Sequence, residues 1–167
     1  MKKTLIVVTI IITILCLNKQ EQVLIPKDSI RFRVIANSDD IKDQEIKKKI
    51  VKDLSTELLK TQNSKDIEDT RTFIKKELPT FEKVVDKTLE DNNYDKTFHI
   101  NYGKNYFPKK TYKNVVYEEG EYESLVVTLG EGKGKNFWCV LFPPLCFVDE
   151  DNIEYKSIIK ELVDKYF

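Results

Sequence analysis

Near residue 95 the apolar residues of this chain change their spacing. Before it, Ile46, Ile50, Leu54 and Leu58 recur every four residues among lysines and acids, which places them on one stripe of an α-helix. After it, Phe98, Ile100 and Tyr102 alternate with Thr97, His99 and Asn101, the period of a half-buried strand. One earlier segment also alternates, with Ile30, Phe32 and Val34 set against Arg31 and Arg33. Helices grouped ahead of strands favour an α+β fold over repeated βαβ units. The expectation is a mainly antiparallel sheet, two to three helices after the first strand, and a C-terminal helix.

Local signals set the expected boundaries. Asn37-Ser38-Asp39-Asp40 reads as a turn that caps the first helix, and Asn63-Ser64 as the start of a second carrying Ile67, Phe73, Ile74 and Leu78. Pro79 suits the first turn of another helix, with Phe81, Val84, Val85 and Leu89 on its buried side. In the second half Gly103 and Tyr106-Phe107-Pro108 are read as breaking the first strand. Strands are expected over 111–117 and 122–129, joined by a turn at Glu118-Glu119-Gly120. Asp149, Glu150 and Asp151 suit the start of a last helix, whose stripe is Ile158, Ile159, Leu162 and Val163.

The first 22 residues read differently from the rest. Lys2 and Lys3 precede an uncharged apolar run over 5–17, the pattern of an export signal. The run is short for a spanning helix, which needs roughly 20 residues. Residues 1–22 are therefore a signal peptide or an N-terminal membrane anchor, and 23–167 a single extracytoplasmic domain. The whole chain carries 28 basic and 28 acidic residues, and the exported body keeps about two net negative charges. Such a body has no general field to draw nucleic acid or an anionic membrane.

Catalytic patterns are weak. The lone histidine, His99, lies mid-strand with no nucleophile elbow or second metal-ligating histidine elsewhere. Glu118, Glu119, Glu121 and Glu123 flank a turn and read as a solvated strand face. Asp149-Glu150-Asp151-Asn152 lacks the glycine and distant glutamate of a calcium loop. Gly130, Gly132 and Gly134 fall at every second position and lead into a strand-like run from Phe137, whereas a phosphate loop opens a helix. They are read as a flexible loop projecting between two strands. Cys139 and Cys146 are too far apart for a C-x-x-C redox centre. They form a disulfide, as the exported setting favours, or remain two small apolar thiols.

Three segments carry a resemblance. Gly130-Glu131-Gly132-Lys133-Gly134, Asn136 and the run from Trp138-Cys139-Val140-Leu141-Phe142-Pro143-Pro144-Leu145-Cys146 to Asp149 resemble the signature of the stage II sporulation protein R family. Ile30-Arg31-Phe32 with Val34-Ile35-Ala36-Asn37-Ser38-Asp39 is similar too, as are Tyr106-Phe107-Pro108, Lys110-Thr111-Tyr112 and Gly120-Glu121-Tyr122-Glu123. Phe137 stands where the family usually has a second tryptophan, and Arg33 where a histidine is common.

The resemblance implies a non-enzymatic signal exported from the forespore into the space between two membranes. Its implied partner is the membrane-embedded aspartic protease stage II sporulation protein GA, which cleaves the precursor of sigma-E; no cofactor or metal is implied. The expected contacts are Gly132, Lys133, Gly134 and Asn136, with Tyr106, Phe107, Tyr122 and Trp138 as aromatic anchors. The competing classes are an envelope-associated structural or lipid-contacting module and an exported wall hydrolase.

Overall fold

The computed structural model of the chain describes residues 23–112, 115–147 and 155–167. The expected signal segment and the acids at 149–151 lie outside the described residues. In chain order the elements are β1 (Val23–Leu24), β2 (Ile30–Ile35), α1 (Ile41–Leu58), α2 (Ile67–Asp91), β3 (Phe98–Phe107), β4 (Lys110–Tyr112), β5 (Val115–Tyr117), β6 (Gly120–Leu129), β7 (Asn136–Phe142) and α3 (Tyr155–Tyr166). Short 3-10 turns occupy Leu59–Asn63 and Leu145–Phe147. This is an α+β fold.

The main sheet runs β3-β6-β2-β7, and a smaller one runs β1-β5-β4. In the main sheet β3 and β7 pair antiparallel to their neighbours, while β2 and β6 run parallel. The first strand of the sheet is therefore central, and its two partners come from the last third of the chain.

One face of the main sheet is roofed by α1 and α2. Ile30, Phe32 and Val34 of β2 and Leu125, Val127 and Leu129 of β6 point into it. They meet Ile46, Ile50, Leu54, Ile74, Phe81 and Val85 from the helices. Full burial of each such side chain contributes about 1.5–3 kcal/mol, so this layer holds the molecule together. A second, smaller cluster joins Ile25, just after β1, and Val115 of β5 to Val140, Leu145 and Ile159.

Four expectations are corrected. Residues 67–91 form one helix rather than two, with Pro79 inside it. Losing the proline N–H and accommodating its ring costs about 3 kcal/mol, yet Ile74, Phe81 and Val85, on both sides of it, are all fully buried on one stripe. The shared apolar roof outweighs the break. That helix is capped by Asp66, whose side chain accepts from the Asp69 N–H at 2.9 Å, and Asn63-Ser64 instead closes the 3-10 turn after α1. Gly103 lies within a continuous β3, opposite Ser124. Finally, the expected strand over 111–117 is two short strands paired as a hairpin, Thr111 opposite Val116; residues 113–114 lie outside the described residues.

Candidate functional site

The site is the second face of the main sheet, away from α1 and α2. Strand register lays its residues out in rows. Val140, Arg31, Ser124 and Gly103 form one row, followed by Trp138, Arg33, Val126 and Asn101, then by Asn136, Ile35, Thr128 and His99. The first row is closed: Arg31, Ser124 and Val140 are each at most 2% exposed, and Val140 packs with the small sheet and α3. In the other two rows every residue except Val126 is at least partly exposed. Half of this face is thus a platform open to solvent.

At one end the platform is bounded by the glycine loop, residues 130–135. The expected flexible projection is instead a clasp closed onto residues 36–39. Gly134 N–H donates to Ala36 O at 2.9 Å and Lys133 N–H to Asn37 O at 3.0 Å. Glu131 N–H donates to Asn37 Oδ1 at 2.9 Å, and Lys135 N–H to Asp39 Oδ1 at 2.7 Å. The glycines at 132 and 134 permit close approach. A Cβ on Gly132, which has φ of +64°, would lie 2.6 Å from Thr128 Cγ2, and one on Gly134 would lie 2.1 Å from Ser38 O.

The other half of the clasp is anchored from below. Asn37 Nδ2 donates to Asp43 Oδ2 at 2.7 Å and the Tyr94 hydroxyl to Asp43 Oδ1 at 2.7 Å. Burial pushes the Asp43 carboxyl up, but these hydrogen bonds and those from Ser38 outweigh it and hold it below its usual value. Burial and the same carboxylate push the Tyr94 hydroxyl well above its ordinary range. Lys47, the first of three consecutive lysines, is buried and donates to Lys135 O at 3.0 Å.

At the other end, where the small sheet closes over, cations and rings alternate. The Arg31 guanidinium lies 3.3 Å from the centre of the Tyr122 ring and 5.2 Å from that of Phe107. Phe107 meets Trp138 edge-on at 5.0 Å. Arg33 lies 4.6 Å and Lys110 Nζ 5.8 Å from the Trp138 ring centre. Such contacts contribute about 0.5–2 kcal/mol each, more where water is excluded. Asn136 links the two ends: its amide donates to Gly134 O at 3.0 Å, and its oxygen accepts from Arg33 Nη2 at 2.8 Å.

The expected contact residues therefore divide. Lys133 presents a side chain 75% exposed, paired only with Glu131 of the same loop, and Tyr106 is 59% exposed. Trp138 and Asn136 lie half-open on the platform. Gly132 and Gly134 serve the clasp. Phe107 and Tyr122 are corrected: at 1% and 2% exposure they offer no surface anchor, and both rings instead pack against Arg31. Cys139 and Cys146 are joined, with Cα atoms 5.3 Å apart, which fastens the middle of β7 to the 3-10 turn behind it.

Sequence reasoning missed Glu123. Far from facing open solvent, it takes Arg71 in a two-pronged ion pair at 2.6 and 2.8 Å and the Tyr102 hydroxyl at 2.5 Å. Arg71 also reaches Glu68. Period two did place Glu121 and Glu123 on one face; nothing local shows that a helix 52 residues away reaches the second. Arg31 and Arg33 were missed as site residues because alternation alone reads them as the wet side of a strand.

Among the described residues no cluster of histidine, cysteine, aspartate and glutamate is placed to hold a metal ion. The platform offers amides, ring faces and two cations, the means of recognition at an interface. With that geometry set, comparison identifies the group to which it belongs. The chain matches the family described as stage II sporulation protein R over residues 26–152 and belongs to it. A curated relative, the stage II sporulation protein R of Bacillus subtilis, is 39% identical over 149 residues. The match covers 89% of the present chain and 65% of the relative, so the chain spans slightly less than two thirds of that protein's length. No solved structure matches.

Proposed function

We propose that this chain is the exported sporulation signal that activates stage II sporulation protein GA, the membrane aspartic protease that cleaves the precursor of sigma-E. It acts as a ligand and catalyses nothing itself. The observation that carries the reading is convergence. The three segments that carry the family resemblance lie far apart in sequence, yet they supply the central strand, the clasp and the cation–aromatic stack around one open platform. A ligand shifts its receptor only through differential affinity for one state, and a pre-shaped surface keeps the ordering cost of binding low.

The test is co-expression of the chain with the protease and the sigma precursor in a non-sporulating host. Cleavage should depend on this chain. Lys133→Ala combined with Asn136→Ala should lower it at least tenfold while export and folding persist. Because Asn136 also braces the loop, Lys133→Glu alone is the cleaner variant. Normal cleavage with both variants would remove the loop from the interface. Cleavage that ignores the chain altogether would sink the assignment and favour an envelope-associated module.

A further inference from the structure

Two cations, Arg33 and Lys110, flank the Trp138 ring. Arg33 makes hydrogen bonds to the Asn136 oxygen and stacks near Trp138 and Phe107. Among the described residues no carboxylate pairs with it, and none pairs with Lys110. Two cations with no paired carboxylate among the described residues are thus set against one ring. Burial disfavours the charged form of Arg33 and no neighbouring acid opposes this.

We propose that the open half of the sheet face, at Arg33, Trp138 and Lys110, receives a carboxylate side chain from an extended acidic segment of a partner protein. The guanidinium offers paired donors that match a carboxylate. The Trp138 ring covers the methylenes of the incoming residue, while the Asn101 and Asn136 amides flank the same rows. Charge complementarity selects the occupant. A lipid surface needs clusters of 4–8 basic residues, and one half-buried arginine beside one exposed lysine does not provide one. The inference rests on reading this face as a docking surface, and it adds the chemistry of what docks.

Trp138 is the only tryptophan of the chain, so its fluorescence reports the site directly. Full-length protein is titrated with a hexapeptide alternating glutamate and phenylalanine, with its glutamine counterpart, and with vesicles containing phosphatidylserine. The glutamate peptide should shift the emission saturably and weaken with added salt. The glutamine peptide should bind at least tenfold more weakly, and vesicles should leave the emission unchanged. Arg33→Gln and Lys110→Gln should each weaken the glutamate peptide, and Arg33→Lys should restore part of the loss. Lys110 is exposed, so that variant keeps the test sound if Arg33→Gln unfolds, as checked by circular dichroism. Equal binding of the two peptides, wild-type affinity in the Lys110 variant, or a response to vesicles alone would overturn the proposal. Precursor cleavage is a separate readout: peptide binding without chain-dependent cleavage removes the protease as partner and leaves the carboxylate site standing.

Discussion

Gly134 bears the tightest steric demand in the molecule's clasp. Its missing Cβ is what lets the loop close against the Ser38 carbonyl, and a backbone oxygen cannot rotate away as a side chain can. Gly134→Ala should cost about 2–3 kcal/mol, in the range of an overpacked core, seen as a lower urea midpoint. Glu123 sets a second demand at the same scale. Hydrogen bonds from Arg71, opposed by burial, hold its carboxyl below the ordinary 4.5. A depressed native pKa contributes stability that is complete above the unfolded value and is lost as pH falls through the folded one. Thermal stability should therefore drop on acidification below pH 4.5, and Glu123→Gln should lose about 2 kcal/mol at neutral pH while converging on wild type in acid. Residues whose partners lie one turn or one strand away were legible in the sequence. Glu123, Arg31 and Lys47 were not, because each is claimed by an element distant along the chain.

Elements tell a similar story through their ends. The apolar stripes of α1 and α2 were plain in the sequence, as was the β6 run, because periodicity reports which face is buried. Pro79 misled for a physical reason: a local rule predicts a boundary, but the buried stripe, Thr70 and Ile74 before it and Phe81, Val85 and Leu89 after it, belongs to one roof. If that account holds, Pro79→Ala should raise stability by about 2 kcal/mol, since the native helix already has the shape alanine prefers. No gain on denaturant titration would mean that the surrounding helix has relaxed around the ring. The disulfide makes an element of the segment after β7. Replacing Cys139 and Cys146 by serine should cost about 2 kcal/mol, as expected for so short a closed loop, and should loosen Leu145 before the helical roof. Hydrogen exchange resolved by segment would show that order; uniform loosening would contradict it.

For the molecule as a whole, the sheet's position between a helical roof and a half-covered outer face decides where recognition can occur. The fold class was legible from the grouping of helices before strands. The platform was not, because it depends on strand order, and no local pattern reveals that β2 lies between β6 and β7. That order has a consequence for how the chain comes into being. Arg31 pairs with Ser124 on one side and with Val140 on the other. A chain delivered amino end first, at about 10 residues per second, leaves its central strand without a partner for roughly 9 s. During that wait the helices can form, but no sheet exists for them to cover. The main sheet can close around its central strand only once β6 and β7 have emerged.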